Sequence, residues 1–193
     1  RDVLGSRGLG DVYKRQVPYT RVRCRLLNNK AMRGGAIYVR NATLKLFGTI
    51  LSGNGTVDNT TSTEELRGGA VTVIATGGNN PQAALYAANT LWANNESEGY
   101  GGALSVYGNT TVNLINNTIV RNKAADYSAL YRTGTTGTST TTITNTVFWG
   151  NEGGSYLLPA DAKVTYSAAE SFTTDNSTNN IQLNTENMAA NGS

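Results

Sequence analysis

The 193-residue chain contains no histidine. That absence removes histidine general bases, Ser-His and Cys-His nucleophilic systems and most zinc sites. The single cysteine, Cys24, excludes an internal disulfide. No apolar run is long enough to cross a bilayer as a helix. Charge is also nearly balanced once one segment is set apart. Ser6 to Gln16, "SRGLGDVYKRQ", is glycine-rich and basic, yet Gly5, Gly8 and Gly10 fit neither phosphate-loop spacing. It back-translates instead to a transposase-based sequencing adapter, so Arg1 to Gln16 are expected to be non-native and are excluded from the fold. Without Arg1, Arg7, Lys14, Arg15, Asp2 and Asp11, 12 bases face 11 acids. The basic isoelectric point therefore comes largely from that segment, and nothing global points to nucleic acid as a partner.

What is present is a repeat. "GGAI" (Gly34 to Ile37), "GGAV" (Gly68 to Val71) and "GGAL" (Gly101 to Leu104) recur, with a degenerate "SALY" at Ser128 to Tyr131. Between them an apolar residue precedes Asn by three positions: Leu26 and Asn29, Leu51 and Asn54, Leu91 and Asn94, Ile119 and Asn122, Phe148 and Asn151. The local period is two, which marks strands. Val22, Cys24 and Leu26 share one face, with Arg21, Arg23 and Arg25 opposite. Aligned on that phase, later copies give the inward sets Leu46, Gly48, Ile50; Ala87, Asn89, Leu91; Ile115, Asn117, Ile119; and Ile143, Asn145, Val147. In this alignment the Asn motif slips by one in the copies ending at Asn54 and Asn151, which reads as a bulge or longer turn.

Short strands joined by Asn, Gly and Thr corners predict an all-β right-handed parallel β-helix. About five coils of two or three strands each are expected over residues 17–154, with degenerate further coils or a loose polar tail over 155–193. The paired glycines Gly34, Gly35, Gly68, Gly69, Gly101 and Gly102 are expected at corners where backbones approach closely. Asn89, Asn117 and Asn145 are expected to stack as a buried amide ladder, because an amide carries both donor and acceptor.

The GGA[ILV] tetrapeptides with interleaved FxxN-like elements, including "FWGN" at Phe148 to Asn151, resemble the repeats of chlamydial polymorphic outer-membrane proteins. "LINNTIVRNKA" and "ITNTVFWGNEGG" look more like β-helix proteins secreted or displayed by Bacteroides-type gut bacteria. The resemblance implies export, surface display and adhesion, with glycans or a host surface as partners. With no capping segment visible at either end, both terminal coils would expose unpaired edges, so a piece cut from a longer rod is expected. Parallel β-helices host polysaccharide lyases and glycoside hydrolases too, and a passive spacer is a third reading.

Two candidate sites follow. Asp58, Glu64, Glu65, Glu96, Glu98 and Asp126 fall at one corner of successive coils and could hold Ca²⁺ or supply an acid and a base. Lys30, Arg33, Arg67 and Lys123 share that corner, so a solvated salt-bridged edge is the alternative. Tyr38, Trp92, Tyr107 and Trp149 are expected to face outward or sit at corners, where rings stack on sugar faces. The bland alternative packs the two tryptophans between coils. No other cofactor is indicated.

Overall fold

A computed structural model describes residues 19–57, 67–77, 81–134, 139–154, 156–170 and 177–183. The adapter-like segment lies outside them. Every strand pairing is parallel, and each strand pairs with its counterpart in the next coil, so the chain is a parallel β-helix. Parallel crossovers of this kind take the right-handed sense.

A complete coil has four strands rather than two or three. In the third coil they are Ala83–Ala88, Leu91–Ala93, Glu96–Tyr100 and Leu104–Tyr107. We call the sheets built from these successive positions A, B, C and D. Among the described residues, sheets A and B each stack seven strands, and C and D each stack four. Seven levels replace the five expected, because Lys163–Thr165, Ala168–Ala169, Ser177–Thr178 and Ile181–Gln182 continue A and B beyond residue 154. At about 4.8 Å per level, six spacings give a rod about 29 Å long.

The core is made of columns. Leu46, Ala87, Leu114, Ile143 and Val164 are in register in sheet A, and Leu26, Leu51, Trp92, Ile119 and Phe148 in sheet B. Sheet D contributes Ile37, Val71, Leu104 and Leu130. A fully buried aliphatic or aromatic side chain stabilises by about 1.5–3 kcal/mol, so columns with near-zero exposure dominate the fold.

The step from sheet A to sheet B corrects the inward alignment. It turns on one left-handed residue per level: Arg23, Gly48, Asn89, Asn116, Asn145, Tyr166 and Asn179, with φ between 49° and 56°. That residue breaks the alternation. Leu46 points in, Gly48 turns, and Thr49 and Leu51 point in again, so the phase shifts by one. A one-residue shift sends side chains to the other face. Ile115 and Val147, expected inside, are 41% exposed, and Ile50 and Leu91 lie on the outward face of sheet B.

The same shift corrects the amide ladder. Asn89 and Asn145 are exposed turn residues. Only Asn117 is buried, in a polar column with Thr49, Thr90, Thr146 and Ser167. There it accepts from the Thr90 N–H and from Trp92 Nε1. The ladder that forms is Asn29, Asn54, Asn95, Asn122 and Asn151. Each Nδ2 donates to the next Oδ1, at 2.9, 2.9, 2.9 and 3.0 Å in order. Each Oδ1 also accepts the preceding asparagine's backbone N–H. The remaining Nδ2 hydrogens of Asn54, Asn95, Asn122 and Asn151 reach carbonyls of Leu26, Leu51, Trp92 and Ile119. In its third copy the motif is Trp92 with Asn95, not Leu91 with Asn94, and the spacing holds without a bulge.

At the corner from sheet C to sheet D, Gly34, Gly68 and Gly101 have φ of 57°, 68° and 71°. A Cβ on Gly35, Gly69 or Gly102 would fall on the backbone of the neighbouring coil. The fourth copy reads "YSAL", Tyr127 to Leu130, rather than "SALY", with Tyr127 in the left-handed conformation.

Candidate functional site

Both expected sites look different in three dimensions. Asp58, Glu64 and Glu65 lie outside the described residues. Glu96 opens a strand of sheet C whose neighbours in register are Gly55 and Lys123. Its carboxylate pairs with the Lys123 ammonium at 3.4 Å, both side chains more than half exposed. Such a pair contributes little, about 0–1 kcal/mol. Asp126 accepts the Tyr127 N–H at 3.0 Å. Among the described residues no three of the acids, with or without Cys24, come together as a metal-ligand group.

The aromatic set divides. Trp92 is 1% exposed and stands in the core column of sheet B, which corrects its placement on a contact surface. Leu91 takes the outward position that the shifted phase had assigned inside. Trp149 and Tyr38 are half-buried, and Tyr107 is exposed.

Tyr107 belongs to a tyrosine–arginine cluster at the C-to-D corner. Tyr100 stacks on Tyr131 at 4.5 Å, Tyr131 leans on Tyr127 at 5.0 Å, and Tyr127 stacks on Tyr156 at 5.1 Å. The Arg67 guanidinium covers the rings of Tyr107 and Tyr131. Burial, then the Asp126 carboxylate and the neighbouring Tyr156 and Tyr131, push the Tyr127 phenol above its ordinary 10.0. Ring faces spent on one another and on a guanidinium are not offered to a ligand.

Sequence reasoning missed a different surface, on the outward face of sheet A. There Phe47, Ala88 and Ile115 are consecutive in one column, and Lys45, Tyr86 and Asn113 in the next. Alanine between two large side chains leaves a slot. Its walls stand two coil spacings apart, about 10 Å, enough for one ring to touch both sides at about 3.5–4 Å. The resulting open hollow, about 520 Å³, is lined by Thr43, Lys45, Phe47, Tyr86, Ala87, Ala88, Asn113 and Ile115. Phe47, Tyr86 and Ile115 remain 37–41% exposed. Asn113 Oδ1 is covered yet accepts no hydrogen bond among the described residues.

No family model, characterised protein or solved structure matches this chain. The fold itself therefore carries what can be stated, an all-β repeat solenoid. Among the described residues no helix is long and apolar enough to cross a membrane.

One cation is placed inside. Arg132 occupies the sheet D column that holds Val39, Val73 and Val106 in earlier coils. Its side chain is 3% exposed and its guanidinium pairs with Asp161, itself 63% exposed, and with Thr141 Oγ1 at 3.3 Å. Burial lowers its affinity for the proton relative to an ordinary arginine. The strap that brings Asp161 in accepts N–H groups of Ser128, Ala129 and Leu130 on carbonyls of Tyr156 and Leu157. It seats Leu158 and Ala162 at 2% and 0% exposure. This strap closes sheet D at the fourth coil while sheets A and B run on.

Proposed function

We propose that the chain is part of an exported, surface-displayed rod that makes lateral contact with glycans through sheet A. The single observation that carries the reading is the Phe47–Ala88–Ile115 slot with Tyr86 and Asn113 beside it. A soluble protein normally buries such side chains or scatters them. Here three large apolar groups surround one small residue on a flat parallel sheet. Sugar rings present C–H faces to aromatic surfaces and hydroxyls to amides. Export, display and membership of a bacterial surface-repeat family rest on the resemblance of the GGA and FxxN elements.

Filling the slot tests the reading. Ala88→Trp points outward and should leave the melting temperature unchanged. Binding of the full chain to an immobilised panel of neutral and acidic glycans should fall at least tenfold. Retained binding in a folded Ala88→Trp protein would remove sheet A as the contact surface.

A further inference from the structure

Each strand of sheet B points two residues outward, because its middle residue belongs to the buried column. One outward row runs Arg25, Ile50, Leu91, Thr118, Val147 and Ala168 in register. The other, two residues further along each strand, runs Leu27, Ser52, Ala93, Val120 and Trp149, with Glu170 following at the sixth level. Among these outward positions no charge stands between Arg25 at one end and Glu170 at the other. Leu27 and Val147 are each 41% exposed, and Ile50, Leu91, Val120 and Trp149 are half-buried. Single exposed apolar residues are ordinary. A continuous apolar strip closed by a cation and an anion has instead the composition of an interface, apolar at its centre and charged at its rim.

The strip fits a copy of itself turned end over end. Such a copy lays the first level over the sixth, the second over the fifth and the third over the fourth. In the second row the early residues, Ser52 and Ala93, are small and the late ones, Val120 and Trp149, are large. Inversion therefore sets Trp149 on Ser52 and Val120 on Ala93, and every contact occurs twice, as two-fold symmetry requires. Arg25 comes over Ala168, with Glu170 two residues along the strand, about 6.6 Å away and within an arginine's reach. Glu170 is exposed and held at that edge by the Gly150 N–H, which its Oε2 accepts at 2.9 Å; a carboxylate has a second oxygen to offer. A copy pointing the same way would instead set Arg25 beside Arg25 and Glu170 beside Glu170. The whole chain carries the same bias. From Val17 to Val57 it has seven bases and no acid, and from Asp58 onward five bases and eleven acids, so inverted rods attract where parallel ones repel. We infer that the outward face of sheet B binds a second copy of this chain in an antiparallel, two-fold dimer, independently of any glycan contact on sheet A. Six levels with the turn residues on either side give a strip of about 24 by 16 Å, at the small end of interface sizes. The dimer is therefore reversible and forms in the micromolar range or above.

Sedimentation velocity of the full chain at rising concentration tests the inference. The weight-average sedimentation coefficient should climb from the monomer value toward that of a dimer. Val147→Lys places a charge at the centre of the strip and should weaken association about tenfold or more. Its side chain points outward, so the melting temperature should not change. Arg25→Glu alone and Glu170→Arg alone should each weaken the dimer, and the two together should restore it, an exchange that a merely structural role for either residue would not rescue. A chain that stays monomeric throughout would overturn the inference and leave the strip to a different partner. A dimer untouched by Val147→Lys is built on another face and would overturn it as well. Association lost in Val147→Lys but not restored by the double exchange would overturn the antiparallel arrangement.

Discussion

At the corner between sheets B and C the chain turns around side chains; at the corner between sheets C and D it turns where side chains are missing. The first corner places five asparagines in register and joins the coils through amides. The second brings backbones so close that only glycine fits, in three coils out of four. An amide corner can be extended indefinitely because each Asn satisfies its neighbour. A glycine corner depends on the space left by the next coil, and it ends where Tyr127 and Ser128 replace the pair. Among the described residues the strands of sheets C and D end at that level, under the strap, with a single bridge from Lys123 to Glu152 beyond it, while the A and B sheets continue for three more.

The contrast can be broken most severely on the glycine side. A Cβ at Gly69 meets the Gly102 carbonyl and the Glu96 backbone, none of which can move alone. Gly69→Ala should cost about 4 kcal/mol or more, at the top of the range for point changes, and chemical denaturation should show a chain largely unfolded. On the amide side, Asn95→Ala removes an acceptor used by both N–H groups of Asn54 and a donor used by Leu51 and Asn122. Stranded buried groups cost about 1–3 kcal/mol each, and a total of about 3 kcal/mol is expected. Asn145→Gly, one corner away and exposed, should change stability by less than about 0.5 kcal/mol, since the left-handed turn suits glycine. Equal losses at Asn95 and Asn145 would dissolve the distinction between the ladder and the turn column.

Much of the architecture was legible because strands repeat. The glycine tetrapeptides, the apolar residue three before Asn, and the degenerate further coils allowed for over 155–193 all follow from local text. The phase was not legible across the A-to-B step. Asn89, Asn117 and Asn145 look equivalent as letters, but a single left-handed residue separates two alternations, and its identity ranges over Arg, Gly, Asn and Tyr. No residue type announces that turn, so parity could not be carried through it. Trp92 was misplaced for the same reason. The slot needed more still: Phe47, Ala88 and Ile115 are neighbours only once the register between coils is known.

The strap offers a smaller test. Asp161→Asn leaves the Arg132 guanidinium buried beside a neutral partner. Asp161 is mostly exposed, so solvent screening limits the cost to about 1 kcal/mol. Arg132→Leu restores the aliphatic column of Val39, Val73 and Val106 and should be neutral or stabilising, as read from thermal melts. A marked loss in Arg132→Leu would mean that the ion pair, and not the apolar contacts of Leu158 and Ala162, holds the strap.

The smallest effect concerns alkaline pH. The Tyr127 phenol is raised above 10.0 in the folded protein. Its contribution is complete below that ordinary value and is lost as pH rises through the folded one. Melting temperature should decline over that alkaline interval, and Tyr127→Phe should flatten the decline.

The amide ladder also has a sense of direction. From Asn29 to Asn151 every amide-to-amide bond runs from an Nδ2 to the Oδ1 of the later coil, while the other Nδ2 hydrogen, from Asn54 onward, reaches back to a carbonyl of the earlier coil. Amides aligned head to tail polarise one another, so the column acts as a one-way track. An incoming coil meets a waiting amide donor on its predecessor, supplies an acceptor to it, and gives its own Nδ2 to a predecessor carbonyl. Each added coil therefore docks by giving and by accepting at once, which fixes its orientation as well as its register.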